Sequence, residues 1–187
     1  MNKSLIGIIA VVVVILVIIM SLFGTYNGLV RMREDVKASY ATISAQLQRR
    51  ADLIPNLVNT VKGFNIHEKE IIDSVTEARA RLSGAGSANE RIAREAELSG
   101  ALSRLLVVVE NYPDIKADAN FRQLMDELAG TENRIAVARR DYNEVVRAFN
   151  ARVLSFPASI VARSFGFESA AYFEAAEGSE AVPQVTF

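Results

Sequence analysis

The chain has 187 residues, no cysteine, and 21 Lys and Arg against 22 Asp and Glu. The even charge balance excludes a nucleic-acid binder working by bulk charge, and a hydrophobic content of 50% excludes a disordered chain. Without cysteine there is no disulfide framework, no thiolate zinc site and no thiol nucleophile, and a chain of this length suits one domain.

The apolar residues open the chain. Leu5 to Phe23 read LIGIIAVVVVILVIIMSLF, with no charge and with Ser21 as the only polar residue. As a helix this run spans roughly 28 Å, close to a hydrocarbon core of about 30 Å. A cleavable signal peptide has a shorter apolar region of roughly 7–15 residues and then a small-residue site. The run here is longer, and SLFGTYNG shows no A-x-A pattern, so residues 1–24 read as a retained transmembrane anchor. Lys3 and the amino terminus precede it, whereas Arg31, Arg33 and Lys37 follow. The positive-inside rule then favours a short outer amino terminus and a cytoplasmic body, with the opposite orientation as the alternative.

Residues 25–155 change to helical periodicity. A seam alternating three and four residues runs through Tyr26, Leu29, Arg33, Val36, Tyr40, Ile43, Leu47, Arg50, Ile54, Leu57, Val61 and Phe64. Gly24 and Gly28 are the only weak points between anchor and seam, so one rod of about 60 residues, roughly 90 Å, is predicted if the helix is continuous. Pro55 inside the seam removes a backbone donor and predicts a kink; a fresh helix capped by Asp52 is the alternative.

Two shorter segments follow. Asn65 with Glu68 reads as a capping box for a stripe of Ile71, Val75, Ala78 and Leu82. SGAGSAN, from Ser83 to Asn89, has loop chemistry. Leu98, Leu102, Leu105, Val109 and Tyr112 form the next stripe, which Tyr112-Pro113 should end. Asp114 or Asp118 then caps a second long seam of Phe121, Leu124, Leu128, Thr131, Ile135, Ala138, Tyr142, Val145 and Phe149. No strand-like alternation competes. The fold class is all-α: an N-terminal transmembrane helix and an antiparallel bundle of three to four long helices packed as in a coiled coil.

The motifs YNGLVRMRE, QLQRRADLIPNLVNTVKGF, HEKEI, VTEARA, YPDIKA, NFRQLMDELAGTENRIAVARRDYN and SFPASIVARSFGF resemble the LemA family of bacterial membrane proteins. The resemblance runs from Tyr26 through the terminal VPQVTF. It implies one amino-terminal anchor in the bacterial inner membrane, a short outer terminus and a helical inner domain. It implies no established activity, and an association of some relatives with magnetosome membranes points to membrane organisation.

The chemistry of the remaining residues is sparse. His67 is the only histidine, and HEKEI lacks the second histidine of H-E-x-x-H because Ile71 stands there. Phe64 likewise breaks a Glu-x-x-His pair. Gly84 and Gly86 lack the G-K-[ST] ending of a phosphate loop. Asp73 and Glu77 share a face, but Lys69 and Arg81 at offsets of four make it read as an ion-paired surface. No catalytic, cofactor-binding or metal-ligating residue is therefore assigned, and no cofactor is expected.

Arg33 and Arg50 are unusual because guanidinium on an apolar seam needs partners. Glu132 and Asp52 are candidates for Arg50, and Glu34 or a lipid phosphate for Arg33. One reading is that both snorkel from a bundle edge. The sharper one is a register-fixing polar cluster of Arg49, Arg50, Asp52, Glu132, Asn133 and Arg134.

Residues 156–187 hold six of the 14 aromatics: Phe156, Phe165, Phe167, Tyr172, Phe173 and Phe187. Their net charge is −3, from Arg163 against Glu168, Glu174, Glu177 and Glu180. These aromatics pack back on the bundle, dock a neighbouring subunit, or place ASIVARSFGF at the membrane interface as a short amphipathic helix. VPQVTF is β-prone and could add to a sheet edge elsewhere.

The functional expectation is a non-enzymatic membrane scaffold that self-associates as a homo-oligomer. Its partners would be membrane lipid and other membrane proteins, not nucleic acid. An adaptor for a membrane protease or signalling enzyme is the alternative, and an enzyme using carboxylates and Arg ranks last.

Overall fold

The computed structural model describes residues 3–64 and 68–173, and every regular element among them is a helix. Asn65, His67, Phe187 and the terminal VPQVTF lie outside the described residues, so the Asn65 cap, the histidine and the last aromatic are not placed. The helices are α1 (Lys3–Lys62), α2 (Lys69–Gly84), α3 (Ala88–Val109), α4 (Pro113–Ala117), α5 (Ala119–Leu154) and α6 (Ala158–Ser164).

The first helix is unbroken from anchor to seam. Neither Gly24 nor Gly28 interrupts it, and Pro55 does not divide it. Asp52 caps no new helix; it accepts a bond of 2.8 Å from Gln48 Nε2. Proline has no N–H to offer the carbonyl of Ala51, four residues earlier. Arg79 on α2 fills that vacancy, donating from Nε to the Ala51 oxygen at 2.9 Å.

The chain forms two compact units, each drawing on α1 and α5. One comprises Ala41–Arg140 with Phe173–Phe187, of which Phe173 alone is described. Its core joins Ile54, Leu57 and Val61 of α1 to Val75 and Leu82 of α2, Leu98 and Leu105 of α3, Ile115 of α4, and Phe121 and Leu128 of α5. The apolar stripe of each helix is thus buried against the others, as amphipathic helices require. On α2 the stripe begins at Ile72 rather than Ile71, which is only partly buried.

Local chemistry sets the boundaries in this unit. The α2–α3 link is shorter than the predicted loop, because α2 runs to Gly84 and α3 starts at Ala88. Ser87 Oγ accepts from the Glu90 N–H, and Glu90 Oε2 accepts from the Gly86 N–H. This resembles a capping box, with Glu90 reaching one residue beyond the N-cap to Gly86, and the composition of SGAGSAN hides it. Glu68 occupies the N-cap position of α2, without a side-chain cap bond to that helix, rather than the third helical position expected of it. The third helix stops at Val109, three residues short of the expected Tyr112; Tyr112 is instead the N-cap of the short α4, which Pro113 opens. Asp118 caps α5 through a 2.8 Å bond from the Phe121 N–H, and Asp114 lies in the first turn of α4.

The other unit comprises Met1–Tyr40 and Asp141–Tyr172. Here Leu29 and Val36 of α1, Val146, Phe149 and Val153 of α5, and Val161 of α6 are buried. Val146 replaces the expected Val145, so the buried positions on α5 run 138, 142, 146, 149 and 153. Two successive steps of four are the drift of a straight helix against a strict heptad. Tyr40 and Tyr142 meet with ring centroids 6.2 Å apart, and Tyr26 meets Phe165 at 4.9 Å. The later residues of α1 therefore face the earlier residues of this stretch, and the two segments run antiparallel.

Candidate functional site

Three features of the described residues go beyond ordinary packing: a buried ion-pair network, a latched C-terminal segment, and a bare apolar span. The network lies in the unit of Ala41–Arg140. Arg50 occupies a seam position of α1 and is 6% exposed. Its Nη1 donates to Glu95 Oε1 at 2.7 Å and to Glu132 Oε2 at 2.5 Å. Glu95, on α3 and 4% exposed, also accepts from Arg139 Nη2 and, at 3.0 Å, from Ser99 Oγ. Two guanidinium groups and two carboxylates thus alternate across α1, α3 and α5 with no net charge.

Burial of such groups is tolerable only because each carboxylate is paired and hydrogen-bonded. The Nε atoms of Arg50 and Arg139 are buried without a hydrogen-bond partner among the described residues. The Arg139 guanidinium also covers the ring of Phe173, 5.1 Å from its centroid.

The predicted polar cluster is only partly assembled. Arg50 and Glu132 meet. Arg49 instead reaches Glu127 at 3.9 Å on the surface, Asp52 serves Gln48, and Asn133 and Arg134 are exposed. Glu95 and Arg139 are the members that sequence reasoning missed. Glu95 carried a signal: it sits three residues before Leu98 and so extends the apolar stripe of α3, a charge on a core face as Arg50 is on α1.

Arg33 is paired otherwise than expected. Glu34 binds Lys37 at 2.8 Å, and that hydrogen bond lowers the Glu34 pKa from its ordinary value. The guanidinium of Arg33 lies 4.9 Å from the centroid of the Phe167 ring. Arg81 bridges Glu77 at 2.7 Å and Glu97 at 3.5 Å, an exposed pairing in which the hydrogen bond it donates to Glu77 raises the Arg81 pKa.

The C-terminal segment folds back within its own unit. Gly166 has φ +69°, a left-handed conformation suited to glycine at a helix end. The Phe167 N–H then bonds the Ala162 carbonyl at 2.9 Å, closing α6 in a Schellman turn and burying Phe167. Beyond it Asn150 acts as a surrogate strand. Its Nδ2 donates to the Ala170 carbonyl at 2.9 Å, and its Oδ1 accepts from the Ala170 N–H at 2.8 Å. Tyr142 Oη donates to the Ala171 carbonyl at 3.0 Å. Burial, then the nearby Tyr40, raises the Tyr142 pKa above its ordinary value of 10.0.

The six aromatics singled out in the sequence divide accordingly. Phe167 and Phe173 are buried; Phe156, Phe165 and Tyr172 are exposed; Phe187 lies outside the described residues.

The span is bare. From Ile8 to Phe23 every described large apolar side chain is exposed, and α1 is long and apolar enough to cross a membrane. A folded chain hides such surface elsewhere. Among the described residues no group of three or more histidines or carboxylates is placed to hold a metal ion.

Comparison with known proteins adds the following. Residues 39–187 match the model of the LemA family. Over 182 residues the chain is 29% identical to Magnetosome protein MamQ 2 of Paramagnetospirillum magneticum, covering 83% of this chain and 67% of that one. It is 26% identical over 181 residues to Magnetosome protein MamQ of Magnetospirillum gryphiswaldense, covering 83% and 66%. It is 24% identical over 155 residues to Protein LemA of Metamycoplasma hominis, covering 82% and 71%.

Proposed function

This chain belongs to the LemA family, and from that membership we propose that it is a non-enzymatic, membrane-anchored scaffold that self-associates and organises membrane or partner proteins. The observation that carries this reading is α1 itself, whose bare apolar span continues without a break into Leu29 and Val36, buried in the same unit. Such a helix fixes a folded body to the bilayer without a flexible linker. The relatives named as magnetosome proteins support an organising role. The excess of Arg31, Arg33 and Lys37 over Lys3 supports a cytoplasmic body and an outer amino terminus in the bacterial inner membrane.

In this reading the Arg50–Glu95–Arg139–Glu132 network fixes the register of α1, α3 and α5, the best-attested use of buried polar groups. Chemical cross-linking and single-particle mass measurement of the full-length protein, extracted with its native lipid, test the proposal. Discrete oligomers are expected. A strictly monomeric protein in native lipid overturns self-association, and recovery of a stoichiometric, different membrane protein makes it an adaptor instead.

A further inference from the structure

Eight large hydrophobic residues beyond the span are exposed among the described residues, and four of them lie between positions 154 and 165. They are Leu154 at the end of α5, Phe156 in the turn, Ile160 on α6, and Phe165 at its end. Phe156 is the barest at 82% exposure. This concentration is not a second core surface, because Ala158, Val161 and Ala162 of the same helix already face inward.

The corner lies beside the end of the span. Ile19, Leu22 and Phe23 of α1 and Ile160, Val161 and Phe165 of the α6 side line one apolar groove of about 340 Å³. Ile19 and Tyr26 are separated by about 10 Å along a helix axis. So α6 stands level with the point where the apolar run gives way to polar residues. The chain turns through 93° between α5 and α6, while the stretch from Tyr142 on α5 to Phe165 runs back along α1 from Tyr40 to Tyr26 in this unit. The short helix therefore lies across the axis of the span, which is the plane of the bilayer surface. The stretch across this bend is itself apolar enough over 18 residues to qualify as a membrane segment by length and composition.

We propose that the α5–α6 corner is a second membrane contact, in which Leu154, Phe156, Ile160 and Phe165 enter the leaflet that α1 leaves and a lipid acyl chain fills the groove beside Leu22 and Phe23. The occupant is lipid because the patch is continuous with the span rather than separated from it by polar surface. An interfacial helix of this kind buries its apolar face to a depth of roughly 5–10 Å. Arg31, Arg152 and Arg163 are exposed in this unit, and their stems let the guanidinium groups reach headgroup phosphates while the apolar side chains insert. Glu168, exposed just past α6, stays on the aqueous side. The inference rests on the anchor of the proposed function, and its test separates the two.

The chain has no tryptophan, so one introduced indole is the only one present. Phe156→Trp and Ile160→Trp are compared with Leu16→Trp in the span and Val107→Trp, an exposed apolar position on α3. Each full-length variant is reconstituted at high dilution into phosphatidylcholine–phosphatidylglycerol vesicles with and without bromine on the acyl chains. Circular dichroism confirms unchanged helicity. Bromine should quench the Phe156→Trp and Ile160→Trp emission by about twofold or more, as for Leu16→Trp, and leave Val107→Trp unchanged. Quenching of Leu16→Trp alone overturns the second contact and leaves the anchor standing, and a corner shielded by a second copy gives that same result. No quenching at Leu16→Trp overturns the anchor and this inference together.

Discussion

Arg79 supplies the hydrogen bond that Pro55 denies to Ala51. The proline removes the donor four residues ahead of the Ala51 carbonyl, and a guanidinium from the next helix takes its place at 2.9 Å. A bond from a charged donor to the carbonyl of this buried residue contributes about 1.5–3 kcal/mol. Arg79→Met, which keeps the apolar stem, should lower stability by that amount in urea unfolding. The same change made with Pro55→Ala should cost less, because an N–H restored at position 55 serves the carbonyl itself. Equal costs in both backgrounds would show that Arg79 acts through something other than this vacancy.

Glu95 should be the most sensitive member of its network. Glu95→Ala leaves Arg50 buried with only the half-exposed Glu132 and deprives Arg139 of its carboxylate. Uncompensated burial of this kind costs about 3–5 kcal/mol. Glu132→Ala should cost only about 1 kcal/mol, because its carboxylate is 49% exposed and Arg50 keeps Glu95. Thermal unfolding of the two variants gives the order directly. Conversion of the whole network to apolar residues of similar volume should be close to neutral for stability.

Asn150 should hold residues 168–173 in place. Its amide makes both bonds that a neighbouring strand would make to Ala170. Asn150→Ala leaves one partly buried backbone donor and one acceptor without the amide, at about 1 kcal/mol. Amide exchange at Ala170 should accelerate markedly, while the interior of α5 keeps its protection. Asn150→Asp keeps the acceptor and loses the donor, so its effect on exchange should be intermediate.

Tyr142 gives the same segment an alkaline limit. Its folded pKa is raised, so the folded state holds the phenol proton above the pH at which the unfolded chain releases it. The stability this contributes is complete below an unfolded value of about 10 and declines as pH rises through the folded value. Ionisation also removes the donor to Ala171. Urea midpoints measured between about pH 8 and 11 should fall at the alkaline end, and Tyr142→Phe should flatten that fall from a lower starting stability.

The long elements were legible because burial imposes a period, and the period survives in the residues from Leu29 to Val61 and from Phe121 to Phe149. The junctions were less so. Val146 displaces the expected Val145 because a straight helix drifts past a fixed heptad, and at the first turn of α2 Ile72 is buried in place of the expected Ile71. The capping box of Ser87 and Glu90 was hidden inside a segment read only for its glycines and serines. Arg50 was visible as a charge on an apolar seam, but periodicity within one helix does not say which helix supplies its partner. Glu95 belonged to the same class of anomaly on α3. Two opposite charges at core positions of separate helices are a pairing signal that neither helix carries alone. The latch at Asn150 was illegible for a different reason: it binds backbone atoms, which every residue has.

The two stretches of α1 differ in what they ask of azimuth. Around Ile8 to Ile18 the side chains are apolar on every face, so rotating that part of the helix presents the same surface to lipid. From Ile43 to Val61 only one face fits the core, and one inserted residue would swing it by about 100°. A residue added or removed near the amino terminus changes the length of the span and leaves the seam in phase. The anchor can thus be matched to bilayers of different thickness by small insertions or deletions, with no change to the folded body it carries.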